Sequence, residues 1–201
     1  MPWFRFCVQE LGVGSMFLLK SSECTFDESI EMIKPKIAVV TNIGMDHISE
    51  FGTKENIAAE KGKLISALPP NGTAILNADD EHVMSMRQRF SGRIITFGTA
   101  PKATVRADNI SSIWPERLSF TVHYAGKSSV VRTQLCGEHW AHSVLAAIAT
   151  GIAMDVPFTM AVKSVHMFPP WRLRLCPETH PDGITFVRDD WKAPLSTVGP
   201  A

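Results

Sequence analysis

Residues 35–65 read PKIAVVTNIGMDHISEFGTKENIAAEKGKLI, and the order of patterns inside that stretch decides the fold class. It opens on a continuous apolar run, residues 37–42 (IAVVTN), with the length and β-branched content of a strand buried on both faces. A short loop follows, Ile43-Gly44-Met45-Asp46-His47. Residues 53–68 then carry apolar side chains at helical spacing, with Thr53 as N-cap and Pro69-Pro70 as the stop. Working outward, the same rhythm repeats. Residues 73–77 (TAILN) read as a strand, 79–90 as a helix and 93–97 (RIITF) as a strand. Upstream, residues 27–34 (DESIEMIK) read as a helix, with acids in the first turn and Lys34 at the end, and residues 4–9 as a strand. Alternating strands and helices predict an α/β fold: a mostly parallel sheet flanked by helices.

The rhythm changes beyond residue 103. The pieces TVRAD, RLSFTVHY and SVVRTQL are strand-like, and Tyr124-Ala125-Gly126-Lys127 offers a turn between the last two. They predict a small antiparallel side sheet. Helices are expected over 139–154 and 157–166, a linker at Pro169-Pro170, and a last strand over 184–188. The chain then runs into a polar end with no terminating element, so the fold is expected to be truncated at both ends. The expected domains are 1–168 and 169–201.

The 201 residues are 45% apolar, and 20 acidic residues balance 20 basic ones. A neutral chain without a basic stripe argues against nucleic acid and against a membrane surface as partners. Cys7, Cys24, Cys136 and Cys176 are scattered, with no C-x-x-C pair, and read as reduced thiols. No apolar run approaches the roughly 18 residues of a membrane span, and the first residues lack a signal-peptide core. The expected location is the cytoplasm.

Five groups of residues could carry chemistry. Lys61 lies in the apolar row Ile57, Leu64, Ile65 and Leu68, whereas Lys63 points away. A lysine drawn into a core loses hydration, which lowers its pKa and makes the neutral, nucleophilic amine accessible. Such an amine adds CO2 to give a carbamate, an oxygen ligand for Mg2+. The competing reading is a lysine that snorkels to the helix edge. Asp46 and His47 follow the 37–42 strand, where ligands bind beyond the carboxyl ends of a parallel sheet; an ordinary strand-end loop is the alternative. Glu10, ending the first strand, could share an ion with His47, or be a surface carboxylate. Gly137-Glu138-His139 opens the 139–154 helix, whose N-terminus suits a nucleotide, although most such helices are core. Arg172, with Asp189-Asp190-Trp191-Lys192, could hold a phosphate and a ribose, or form a solvated loop. The acids of Asn77-Ala78-Asp79-Asp80-Glu81-His82 are read as a helix cap rather than a metal site.

These groups occur together in an order that resembles the Mur ligases. Residues 35–65 resemble that family's central-domain signature, closest to its D-alanyl-D-alanine-adding branch. LCGEHWAHSVLAAIA (135–149) is similar to the family's G-x-H-N-x-x-N-x-L-A-A motif. WRLRL (171–175) and FVRDDWKAPLST (186–197) resemble the arginine and the aspartate–lysine loop that start its third domain. The resemblance implies a P-loop-NTPase-like sheet, ATP and Mg2+ as cofactors, and small-molecule substrates: the carboxylate of a nucleotide-linked peptide, and an amino acid or dipeptide as amine. The implied reaction activates the carboxylate as an acyl phosphate, which the amine converts to an amide, in peptidoglycan precursor synthesis. It further implies Glu10, His47 and carbamylated Lys61 as the metal set, with His47 and Lys61 in the catalytic role. Asn42, His139, Ser143, Arg172, Asp190 and Lys192 would line the nucleotide.

Departures from the motif are equally specific. Trp140 and Ser143 stand where the G-x-H-N-x-x-N pattern has asparagines, and the second of those is the implied adenine contact. Glu23 is a fallback for Glu10, because the 13–25 loop is long. No G-x-x-G-K-[ST] phosphate loop precedes the first strand within residues 1–9. The expectation is therefore a fragment inactive alone. A related ligase of the folylpolyglutamate or cyanophycin synthetase type, and a pseudoenzyme or assembly module with the ligase fold, are the alternatives. A free-standing hydrolase using Asp46 and His47 would need more clustered ligand residues than the sequence has.

Overall fold

The computed structural model describes residues 26–45, 48–170 and 174–189. The chain divides into two compact units, Met1–Phe97 and Gly98–Ala201. The strand expected over residues 4–9 lies outside the described residues.

In the first unit the order is α1 (Phe26–Ile33), β1 (Ile37–Val40), α2 (Ile48–Phe51), α3 (Lys54–Ser66), β2 (Thr73–Asn77), α4 (Glu81–Ser85), a 3-10 turn (Met86–Arg89) and β3 (Arg93–Gly98). The pairing is parallel throughout, with Ile37 opposite Thr73 and Thr73 opposite Arg93. β2 lies between the other two and buries all five of its residues. β1 alternates instead, with Ala38 and Val40 buried and Ile37 and Val39 partly open. Among the described residues it has a strand neighbour on one side only, so its apolar run is less covered than its composition predicts. It is also shorter than expected, because Thr41 and Asn42 turn their carbonyls towards side chains rather than a ladder.

α3 forms where the sequence predicts it. Thr53 is extended, and its hydroxyl accepts a hydrogen bond from the amide of Asn56 at 3.2 Å, satisfying one free donor of the first turn. Ile57, Ala58, Gly62 and Ile65 face the core. Gly62 has a specific reason: a Cβ there would lie 2.9 Å from Arg89 Nε, so the bare glycine lets the 3-10 turn close onto the helix. Lys63 points away, bonding Asp27 Oδ2 at 2.8 Å and Glu60 Oε2 at 2.9 Å. These pairs are exposed enough to contribute little stability. The helix expected over 79–90 splits, because Asp80 is its cap and its last turn tightens to 3-10 geometry before Phe90 extends.

The second unit holds β4 (Val105–Ser111), β5 (Ser119–Tyr124), β6 (Lys127–Arg132), α5 (Trp140–Ala153), α6 (Phe158–His166), β7 (Cys176–Thr179) and β8 (Thr185–Arg188). β4, β5 and β6 pair antiparallel, the expected side sheet. Ala125 and Gly126 both take positive φ, 49° and 75°, the two-residue turn that matches strand twist. His123 ties the three strands on one face, with Nε2 at 2.9 Å from Asp108 Oδ2 and Nδ1 at 2.7 Å from Ser128 Oγ. That contact holds the Asp108 carboxyl below its usual range. The expected last strand is β8, and it has an antiparallel partner, β7, that the sequence did not announce.

Ile65, fully buried under the parallel strands, gives the fold its direct test. Ile65→Ala is expected to lower stability by about 2–5 kcal/mol, read as a fall in the urea midpoint at unchanged slope. No change would mean that α3 is not packed as described.

Candidate functional site

The chain leaves β1 at Thr41, and three elements then hold three successive residues. From the end of β2, Asn77 Nδ2 donates to Thr41 O at 2.7 Å. From α3, Lys61 Nζ donates to Asn42 O at 3.1 Å. From the cap of α4, Asp80 Oδ2 accepts from Ile43 N at 2.7 Å. Asn77 is only 5% exposed, and its Oδ1 also accepts from Asp79 N at 2.9 Å. Asp80 Oδ1 accepts from Val83 N at 3.0 Å, so one carboxylate caps α4 and fixes the loop. Backbone groups that leave a strand ladder need new partners. Here side chains provide them, and the loop stands at the carboxyl ends of parallel strands, where α/β folds bind ligands.

Lys61 sits between Ile57, one turn before it, and Ile65, one turn after, which are 3% and 0% exposed. Its stem leaves a buried row and the residue is half-buried. Its amine reaches the β1 loop. The structure thus brings together two of the residues picked from sequence, Asn42 and Lys61. Glu10, Glu23, Asp46, His47, Arg172, Asp190 and Lys192 lie outside the described residues. Among the described residues, no three His, Cys, Asp or Glu side chains gather into a metal-binding group.

His139 and Ser143 belong to the second unit. His139 is the residue before α5 and makes no side-chain cap. Its Nδ1 is buried without a hydrogen-bond partner among the described residues, as is Trp140 Nε1. Burial pushes the His139 pKa down, more than the Asp189 charge raises it, so the imidazole is neutral at pH 7. Trp140 packs beside it, ring centroids 5.5 Å apart. Trp140, Ser143, Ala147 and Gly151 line one side of a ≈ 420 Å³ cavity, and α6 lines the other through Ala161 and Ser164, with Phe168 just beyond its end. A bulky indole stands where the motif has an amide, and the side chain at 143 is a single hydroxyl on that apolar wall.

Residues 19–151 match the Mur ligase middle domain. This chain belongs to the Mur ligase family. It is 32% identical over 164 residues to the UDP-N-acetylmuramoyl-tripeptide–D-alanyl-D-alanine ligase of Mycobacterium tuberculosis (strain ATCC 25618 / H37Rv), covering 81% of this chain and 32% of that protein. It is 30% identical over 181 residues to the UDP-N-acetylmuramate–L-alanine ligase of Desulfotalea psychrophila (strain LSv54 / DSM 12343), covering 90% of this chain and 39% of the relative. A crystal structure of MurF from Acinetobacter baumannii superposes with a TM-score of 0.78 at 26% identity, over 87% of this chain and 38% of that one. The chain therefore spans about a third to two fifths of the length of these relatives. The α/β architecture read from the sequence is that of the Mur ligases.

Sequence reading missed the tethers that Asn77 and Asp80 make to the loop. Asn77 ends a strand whose every residue is buried, and a polar side chain there must find partners; that was the available signal. In this Mur ligase domain, Asp80→Ala removes both the α4 cap and the Ile43 acceptor. We expect a loss of about 1–3 kcal/mol, and faster hydrogen exchange at Ile43 and Val83 than elsewhere in the unit. Unchanged exchange at Ile43 would show the loop is held by other means.

Proposed function

We propose that this chain is the nucleotide-binding core of a Mur ligase that joins the carboxylate of a nucleotide-linked muramoyl peptide to the amine of an amino acid or dipeptide. Amide formation from a free carboxylate needs activation. In this reading ATP phosphorylates the carboxylate to an acyl phosphate, ADP departs, and the amine displaces phosphate. Little covalent work falls to the protein, which positions the reactants and neutralises the transferring phosphoryl group. Substrates of this kind are small, soluble nucleotides, which fits a reaction in the cytoplasm. Among the described residues no helix is long and apolar enough to cross a membrane.

The observation that carries the reading is the Lys61 amine held at the carboxyl end of β1. It fits the proposed metal set, since a carbamate on Nζ would present anionic oxygens there, the ligand type Mg2+ prefers. Carbamylation of the neutral amine forms an N–C bond to CO2 and releases one proton, leaving one N–H on Nζ. That N–H suffices to keep the bond to Asn42 O, so the loop need not move when the lysine is modified. Lys61, His47 and Glu10 would hold Mg2+, which supplies charge neutralisation for the phosphoryl oxygens. Asn42, His139 and Ser143 would face the nucleotide, with Arg172, Asp190 and Lys192 on its ribose and phosphates.

A second reading, a domain that keeps the ligase fold and has lost ATP binding, is favoured by Trp140 and Ser143 in place of the motif's asparagines. The test is phosphate release by the protein that carries this chain, supplied with Mg-ATP, a UDP-muramoyl tripeptide and D-alanyl-D-alanine, or a UDP-muramate and L-alanine. Release that depends on the amine, and falls about 100-fold in Lys61→Ala, is the expected result. No amine-dependent release with either pair would overturn the ligase reading, and a calorimetric titration without heat from Mg-ATP would then select the second.

A further inference from the structure

Two of the four cysteines belong to the described second unit, Cys136 and Cys176, both free thiols. Cys136 closes the stretch that leads into α5, and Cys176 opens β7. The fold brings their immediate neighbours into contact. Gly137 has φ +97°, and a Cβ placed on it would lie 2.9 Å from Leu175 Cδ1. The missing side chain leaves room for both the His139 ring, whose Cε1 would lie 2.6 Å from that Cβ, and Leu175. Leu175 is 6% exposed and holds φ at 44°, a left-handed conformation that a leucine keeps only where its surroundings fix it. The residue before Gly137 is Cys136, and the residue after Leu175 is Cys176. Each thiol is therefore one residue from the same pinned contact. Cys136 is 8% exposed, and Cys176 is more open. Burial pushes the Cys136 thiol up, Arg117 draws it back, and Cys176 adds a smaller upward push.

We infer that Cys136 and Cys176 form a reversible disulfide under oxidising conditions, clamping the start of the β7–β8 hairpin to the segment that leads into α5. The inference stands apart from the ligase reading and uses no residue of the proposed ATP or Mg2+ set. With oxidised glutathione as oxidant the electrons balance. The more accessible Cys176 thiolate attacks the glutathione disulfide, the S–S bond breaks, and one glutathione thiolate leaves. Cys136 then loses its proton and attacks Sγ of Cys176, releasing the second glutathione. Two protein thiols and one oxidised glutathione become one protein disulfide and two reduced glutathiones. The order follows from access and thiolate character: the more open sulfur attacks first, and the buried, harder-to-ionise one closes the bond.

The test is peptide mapping of the whole chain under non-reducing conditions after incubation with oxidised glutathione. The expected map joins the peptide containing Cys136 to the one containing Cys176, and dithiothreitol separates them. Cys136→Ala is expected to stop at a glutathione adduct on Cys176, and Cys176→Ser to leave Cys136 unmodified. The wild-type map needs neither variant, so a variant that folds poorly does not blunt the test. A stable adduct on wild-type Cys176, both thiols still free while Cys7 or Cys24 react, or cross-links confined to other pairs would each overturn the inference.

Discussion

The backbone that leaves β1 at Thr41 has no ladder to continue into, so its polar groups need other partners as the chain runs from exposed Thr41 and Asn42 to buried Ile43. Everything proposed for the site depends on how that requirement is met. Asn77, Lys61 and Asp80, from β2, α3 and the cap of α4, bond three residues in a row. Three elements are thereby tied to one loop, and the loop takes a fixed path beyond the sheet. The lysine is one of the three ties, so the residue with the most reactive potential is also part of the support. Its position follows from helical spacing: between Ile57 and Ile65, a side chain must run along the buried row before its amine can escape.

Much of this was legible in the sequence because local signals and packing agree. Thr53 caps α3, Pro69-Pro70 stops it, Ala125-Gly126 turns the hairpin, and residues 73–77 form a strand with the bounds their pattern predicts. Where reading failed, the deciding interactions were non-local. Cys-Pro-Glu-Thr carries a proline and a charge and has no strand signature, so β7 exists through its pairing with β8. α2 spans a single turn, below the length at which periodicity can register. The role of Asp80 as a cap was readable from its position before Glu81. Its second bond, to Ile43, depends on a residue thirty-seven positions away, and no window of sequence contains both.

The second unit shows the opposite balance. The motif that opens α5 is recognisable, but two of its positions carry side chains of different chemistry. Trp140 contributes an indole whose Nε1 has no partner among the described residues, beside a neutral His139. Together with Ser143 it lines an apolar wall between α5 and α6. The fold and His139 are retained while the two asparagines expected at this helix are not. Family membership and nucleotide chemistry are separate questions for that reason, and the first unit carries the stronger chemical case.

That case reduces to the reactivity of one amine. Carbon-13 NMR of the chain in labelled bicarbonate, compared with Lys61→Arg, tests it without nucleotide, metal or substrate. The account predicts a carbamate carbon resonance in the wild type that is missing from the variant, because arginine keeps the charge and forms no carbamate under these conditions. Identical carbamate signals in the two proteins would contradict it.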